Sequence, residues 1–377
     1  MKGMEFSCLE STEHWTTGPW RIIHQQMRVS LPTLESSPPP ASLHQRSSGM
    51  LLDSHGRAIT DLRLSVTDRC NFRCTYCLDP GVRFLPRQEL LHLDEYVRII
   101  KACMNRGVRT LRLTGGEPTL YPELNELIAE AGSMDLDDMA MTTNGWSIQL
   151  DRARQWLDSG LRRLTFSLDT LREDRMKSIT RSKTTVQQVL RSIDIAREAG
   201  FPRPKVNMVV MRDVNGDEVA DFAKLARQRD LDVRFIEFMP LGSARDWTAS
   251  TVQTALETRS AIESNWKLVP FDGDQVSSTS VNWVFEDGAD GKLGFIAPVS
   301  QPFCGACNRL RITAEGKIRP CLFSHDEWDL KPMLRRSSSS DELERFLIDA
   351  AWNKQPGHAI GEDEFRQPER SMSAIGG

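Results

Sequence analysis

The sequence predicts an α/β protein, an incomplete (β/α)6 barrel with a smaller C-terminal α+β domain closing the barrel mouth. Three observations predict it. Short strand-like runs alternate with amphipathic segments of helical period from about residue 60 onward. The alternation repeats six times within about 180 residues. It stops near residue 246, after which short strand-like runs follow one another directly. Strand–helix repeats imply a parallel sheet with right-handed crossovers. An open doubly wound sheet is the alternative arrangement of the same pattern, and in both folds ligands gather at the carboxyl ends of the strands.

The chain divides into residues 1–50, 51–245 and 246–377. The first stretch contains "LESSPPPASLHQRSSG", rich in Ser and Pro without apolar periodicity, and reads as a disordered extension. Barrel strands are expected at 61–66 (DLRLSV), 109–114 (RTLRLT), 139–143 (MAMTT), 162–168 (RRLTFSL), 205–210 (KVNMVV) and 233–238 (VRFIEF). Between the first two, Leu93, Tyr96, Val97, Ile100, Cys103 and Met104 share one helical face, which makes Cys103 a core thiol. Gly107 closes that helix. "TTVQQVLRSIDIAREAG" repeats the device and ends at Gly200, and Pro122 suits the first turn of "PELNELIAEAG". In the last stretch "VNWVFE", "LGFIAP", "RLRITA" and "GKIRPCL" read as short antiparallel strands, and "SSDELERFLIDAAWNK" as a helix capped by Ser.

Composition narrows the function classes. The chain is 39% hydrophobic, enough for a core, and has no run of 18 apolar residues, so no membrane partner is expected. A net charge of −4 gives no case for nucleic acid. The opening "MKGMEFSCLESTEHW" lacks an apolar signal core, and Glu5, Glu10 and Glu13 argue against a mitochondrial presequence. A reducing, cytoplasmic setting is expected, where clustered thiols serve as metal ligands or catalysts more often than as bridges.

Six of the eight cysteines form two groups of three. "DRCNFRCTYC" places Cys70, Cys74 and Cys77 at C-x3-C-x2-C in the loop after the first strand. Three thiolates can hold three irons of a [4Fe–4S] cube and leave the fourth open, as a catalytic rather than a closed structural site requires. "LTGGEP" follows at the end of the second strand, where Gly115 and Gly116 let backbone approach a ligand closely. The second group, Cys304, Cys307 and Cys321, is spaced C-x2-C-x13-C. That spacing permits either a second open cube or a structural zinc with His325 as fourth ligand. Arg309 and Arg311 stand two apart, on one face if strand-like, and suit forked bonds to a polyphosphate. No G-x4-G-K-[ST] loop occurs, so side-chain cations would have to hold any nucleotide phosphates.

The first cysteine motif, with the aromatic Tyr76 before its last Cys, and the following TGGEP resemble the radical S-adenosylmethionine (SAM) enzymes. With "FIEFMP", the second cysteine group, "NRLR" and a terminal Gly-Gly in this order, residues 55–377 resemble more narrowly the GTP 3′,8-cyclase family of molybdenum cofactor biosynthesis. The resemblance implies the radical SAM type of partial barrel and two [4Fe–4S] clusters, one on Cys70, Cys74 and Cys77 binding SAM, the other on Cys304, Cys307 and Cys321 binding GTP. It implies SAM contacts at Tyr76, Gly116, Ser167 and Met239. It implies GTP contacts at Arg63, Arg112, Thr142, Lys205 and the run Arg309, Leu310, Arg311, with Arg234 a further candidate. Position 112 is Lys in some relatives, so the fork at Arg112 departs from part of the family. The tail, Gly376 and Gly377, is implied to enter the active site.

The implied activity is that of a lyase. A 5′-deoxyadenosyl radical takes the 3′ hydrogen of GTP, and closure onto guanine C8 gives (8S)-3′,8-cyclo-7,8-dihydroguanosine 5′-triphosphate. Implied partners are GTP, a low-potential electron donor, a second copy in a homodimer, and cyclic pyranopterin monophosphate synthase downstream. Two other readings stand beside it. One is a peptide-modifying radical SAM enzyme with an auxiliary cluster; the other is a zinc-stabilised binding protein using His325.

Overall fold

The computed structural model describes residues 49–376 apart from 80, 243, 245, 246, 275, 276, 337 and 364. The extension read at 1–50 lies outside the described residues except for its last two, and so does the boundary at 245 and 246. Six strands make the barrel: β1 (Asp61–Ser65), β2 (Thr110–Thr114), β3 (Asp138–Thr143), β4 (Arg163–Ser167), β5 (Lys205–Val210) and β6 (Asp232–Glu237). Each falls within about a residue of its expected span. They pair in parallel in chain order.

Strand periodicity separates two faces. Leu62, Leu64, Leu111 and Leu113 are fully buried against the helical layer, while Arg63 and Arg112, one residue along, face the opposite side. The helical layer opens with α1 (Leu93–Asn105) and α2 (Leu124–Gly132). Cys103 is buried on the apolar face of α1, as its spacing requires. Pro122 does not enter α2; it sits in the turn before it, where the Leu124 amide donates to the Tyr121 carbonyl, and Glu123 is the N-cap. Further along, α3 (Val186–Glu198) is capped by Thr185 with Gln188 in reciprocal bonds.

The C-terminal unit extends the same sheet. Its strands are β7 (Leu268–Pro270), β8 (Val281–Phe285), β9 (Lys292–Ile296), β10 (Arg309–Ile312), β11 (Lys317–Arg319) and β12 (Trp328–Asp329). The order across the sheet is β12-β11-β10-β1-β2-β3-β4-β5-β6-β9-β8-β7. Pairing is antiparallel within β7–β8–β9 and within β10–β11–β12; the expectation covered β8, β9, β10 and β11, and β7 and β12 are additional. The two junctions differ from expectation: β9 joins β6 in parallel, and β10 joins β1 in parallel. A six-stranded partial barrel leaves two rows of unpaired backbone groups, and these strands cover both. Since β9 and β10 are consecutive, the link 297–308 runs from one edge of the barrel to the other and carries Cys304 and Cys307 with it.

Two devices anchor this unit. Glu237, buried at the end of β6, accepts from the amides of Ala255, Val299 and Ser300, which fixes the start of the link. The expected Ser-capped helix is α4 (Ser340–Trp352), with Ser339 and Glu342 in a capping box. Among the described residues, no helix is long and apolar enough to cross a membrane.

Candidate active site

The loop after β1 is held from both sides. The amides of Arg73 and Thr75 donate to the carbonyls of Thr180 and Ile179 at 2.8 and 3.0 Å. The β2 turn presses from the other side, where the amides of Gly116 and Glu117 donate to Thr67 and Arg69 at 2.7 and 2.8 Å. A Cβ on Gly116 would lie 2.3 Å from the Arg69 carbonyl oxygen, and one on Gly115 2.6 Å from that of Thr67. The glycine pair thus admits the close approach of the cysteine loop's own backbone. Glu117 then ties β2 to β3, accepting from Thr143 Oγ1 and the Asn144 amide at 2.7 Å each.

Cys70, Cys74 and Cys77 line one cavity at the carboxyl ends of the strands. The four residues assigned to SAM, Tyr76, Gly116, Ser167 and Met239, line the same cavity. Tyr76 Oη donates to Asp169 Oδ2 at 2.7 Å, and the Val209 amide donates to Asp169 Oδ1 at 2.8 Å. Burial pushes the Asp169 carboxyl up to about 6. Burial also pushes the Cys70 thiol up to about 11 and the Cys77 thiol to about 12.

A second cavity lies deeper in the barrel. Arg63, Arg112, Thr142, Arg234, Arg309 and Arg311 line it, together with Cys304, Cys307 and Cys321. Register places Arg63 opposite Arg311 on one side and Arg112 on the other. Adjacent strands stand about 4.8 Å apart, so three guanidiniums form one row. Burial lowers Arg63 to about 9, with Arg112 adding to the shift, and burial lowers Arg112 to about 10. The buried Nε atoms of Arg63 and Arg112 have no hydrogen-bond partner. Burial raises the Cys307 thiol, yet Arg309 and Lys354 outweigh it and bring it down to about 6.

Two of the residues assigned to GTP fall elsewhere. Leu310 is fully buried in the apolar core, because alternation along β10 turns it away from Arg309 and Arg311. Lys205 lies outside the cavity lining at the start of β5, with Nζ 3.7 Å from Asp232. Burial, then Arg234 and Arg163, bring its amine down to about 7. His325 is turned from the second thiol group; its Nε2 contacts the Arg366 carbonyl at 3.1 Å. Among the described residues, no three His, Cys, Asp or Glu side chains converge on a single ion. Thiolates around a cube stand farther apart than those on one ion, since each binds its own iron.

The two cavities meet. Thr142, Asn207, Ile236, Met239 and Met372 line both. Asn207, Ile236 and Met372 escaped the sequence reading. Asn207 carried a signal, since it lies two residues beyond Lys205 on an inward strand face; Met372 carried none. It belongs to α5 (Met372–Ile375), which brings the tail inside the barrel. Arg311 Nη1 donates to the Gly376 carbonyl at 2.6 Å, and Gly376 adopts φ +81°. Gly377 lies outside the described residues.

Residues 64–226 match the Radical SAM superfamily, and residues 231–360 match the family described as Molybdenum Cofactor Synthesis C. A Pseudomonas aeruginosa protein named GTP 3′,8-cyclase 2 is 42% identical over 335 residues, covering 88% of this chain and 100% of its own. A Corynebacterium glutamicum protein named GTP 3′,8-cyclase is 40% identical over 351 residues, covering 90% and 91%. The crystal structure of Streptococcus suis SuiB bound to precursor peptide SuiA matches with a TM-score of 0.59 at 13% identity, over 90% of this chain and 77% of that one, a likeness of fold. Partial barrel, open cysteine triad and these matches define a radical SAM enzyme. Relatedness at about 40% identity across nearly the whole chain narrows the class: the chain belongs to the GTP 3′,8-cyclase family. Its cofactors are SAM and two [4Fe–4S] clusters.

Asp169 generates a pH prediction. An exposed carboxylate ionises near pH 4, whereas Asp169 keeps its proton in the folded chain up to about 6. Folding binds a proton between these values, so stability falls as pH rises from about 4 to 6, by about 3 kcal/mol in total. Asp169→Asn lacks this component. In metal-free protein the unfolding free energy of the variant minus that of the parent should climb from pH 4 to 6 and stay level above. A difference independent of pH would contradict the assignment.

Proposed function

We propose that this chain converts GTP to (8S)-3′,8-cyclo-7,8-dihydroguanosine 5′-triphosphate, the first step of molybdenum cofactor biosynthesis, with the cavity at the strand ends taking SAM and the deeper one taking GTP. The observation that carries the reading is the row Arg311, Arg63, Arg112, cationic, in register and with two buried donors unpartnered, on the wall of a cavity that also holds three thiols. A buried row of like charges calls for a polyanion, and the chain has no P-loop to hold one otherwise.

The residues fit both clusters. Among the described residues, Cys70, Cys74 and Cys77 give three thiols and no fourth, as do Cys304, Cys307 and Cys321, so each cube would keep one iron for a small molecule. When bound, the cluster and SAM at the first triad supply the 5′-deoxyadenosyl radical. The protein's share is placement. Tyr76, oriented by Asp169, would hold SAM beside the loop together with Gly116, Ser167 and Met239, which line the same cavity. Arg63, Arg112, Arg309 and Arg311 hold the triphosphate, with Arg234 beside them and Lys205 below. Thr142 lies where the two cavities join, which is where the 3′ hydrogen must meet the radical carbon within about 3–3.5 Å. The tail reaches the same centre, with Met372 on the wall of both cavities and the Gly376 carbonyl on Arg311, where it would help to exclude water.

Around this centre the reading includes a low-potential one-electron donor, a homodimer, delivery of product to cyclic pyranopterin monophosphate synthase, and a cytoplasmic location.

Anaerobic reconstitution followed by assay of the GTP-derived product tests the proposal. The parent should bind about eight irons per chain and each of Cys74→Ala and Cys307→Ala about four. Cys74→Ala should lose SAM cleavage. Cys307→Ala should keep some uncoupled cleavage and make no GTP product; identical behaviour of the two would refute the division of roles.

Arg63→Met separates binding from stability. GTP affinity should drop about 10- to 100-fold, the scale of a lost charged hydrogen bond. The ligand-free variant should be more stable than the parent by about 1–3 kcal/mol, because a buried unpaired charge is gone. Calorimetry and denaturant melts read the two effects, and effects of the same sign would count against an anion site.

At the tail, a Cβ on Gly376 would lie 2.9 Å from Thr114 Oγ1 and 3.0 Å from Ser65 Cβ. Gly376→Val, or a residue added after Gly377, should cut product formation on the order of a hundredfold at unchanged iron content. Full activity in both would remove the tail from the site.

A further inference from the structure

The second cysteine group has a partner that belongs to neither motif. Lys354 follows α4 and is 2% exposed. Its ammonium donates to the Arg309 carbonyl at 2.8 Å and also to the Pro320 carbonyl. Arg309 lies two residues after Cys307, and Pro320 immediately precedes Cys321. One side chain therefore ties together the two segments that present these two thiols.

The charge of Lys354 needs explaining. Among the described residues, no carboxylate forms an ion pair with it; the groups of opposite sign that act on it are Cys307 and Cys321. Arg57 and Arg309 are close enough to repel it. Burial works against the charge of Lys354 and lowers its amine, while the thiolates of Cys307 and Cys321 work to keep it charged. An ammonium has three donors, and two are used on carbonyls. Lys354 lines the cavity that holds Cys304, Cys307 and Cys321.

The chain around it forms a fitted cradle. Arg57 donates to the carbonyls of Cys304 and Gln355 at 2.6 Å each and to that of Pro356 at 2.7 Å. Asp53 orients Arg57 by accepting from its Nε. A Cβ on Gly357 would lie 3.2 Å from Cys304 Cβ and 3.5 Å from its sulfur, so the backbone there runs directly against the thiol. This geometry sets Lys354 at a fixed position relative to the sulfurs.

We infer that Lys354 is a positioning residue for the second cluster, a fixed buried cation that holds Cys307 and Cys321 in place and favours the more negative, reduced form of the cube they carry. Hydrogen bonds and nearby charge are established levers on cluster potential. The inference rests on the proposed assignment of Cys304, Cys307 and Cys321 to a cluster.

The test compares the reconstituted full-length parent with Lys354→Met and Lys354→Arg by iron content and by cluster-resolved electron paramagnetic resonance during a redox titration. At a given potential the ratio of reduced to oxidised second cluster should fall about tenfold in Lys354→Met, which is about 59 mV for one electron. Lys354→Arg should recover most of it. The first cluster and uncoupled SAM cleavage should be unchanged in both. Loss of the second cluster alone in Lys354→Met, with Lys354→Arg keeping it, supports the same role. An unshifted second cluster in Lys354→Met overturns the inference. So does loss of both clusters, which marks a folding role, or Lys354→Arg behaving like Lys354→Met. A parent with about four irons would sink the cluster assignment itself, and this inference with it, a result distinct from about eight irons and no shift.

Discussion

Three like charges share one strip of barrel wall. Arg311, Arg63 and Arg112 stand in register on β10, β1 and β2, about 4.8 Å from strand to strand. Burial and mutual repulsion both work against their charge, and two of their Nε atoms find no acceptor. The arrangement survives because the other face of the same strands is committed to the core. Leu62, Leu64, Leu111 and Leu310 leave these arginines no other side to face. Strand alternation turns a stability requirement on one face into an anion requirement on the other. The polar interior and the inward-reaching tail, whose Gly376 carbonyl meets Arg311, follow from the same strip.

The two cysteine groups are alike in number and unlike in setting. Around Cys70 and Cys77 burial dominates, and both thiols are pushed well above their usual range. Around Cys307 two cations reverse the balance. Bound iron would replace the missing positive charge at the first group, whereas the second already has some supplied by the chain. Under the proposed assignment the same cofactor type serves two purposes: one triad lines the cavity at the strand ends, the other sits among cations suited to a nucleotide.

Much of this was readable before the fold was known. Strand period alone put Arg309 and Arg311 on one face, and the spacing of the cysteines gave two triads. The six barrel strands were legible because each is a short apolar run between helices. Lys205 lies at the start of β5 outside the lining of the deeper cavity, and the Leu310 side chain points into the core. Alternation accounts for Leu310, which stands between Arg309 and Arg311, but not for Lys205, which shares its strand face with Asn207. The parallel pairing of β9 and β10 with the barrel was not legible, because partners 60 residues apart for β6 and β9 and 248 apart for β1 and β10 leave no local trace. Asn207 could have been found from strand geometry. Met372 and Lys354 could not, since nothing near them in the chain marks a site.

The path of the link 297–308 has a bearing on how the enzyme is made. A nascent chain that has emerged only through β6 already holds the first cysteine triad, yet both flanks of its sheet are bare. β1 waits for β10, and β6 waits for β9, strands translated later. Bare strand flanks invite pairing with other chains, and contacts this remote in sequence form slowly. The interval before residues 292–312 leave the ribosome is therefore when this protein is most exposed to aggregation, and a cell making it in quantity would profit from slow synthesis or a holding chaperone at that stage.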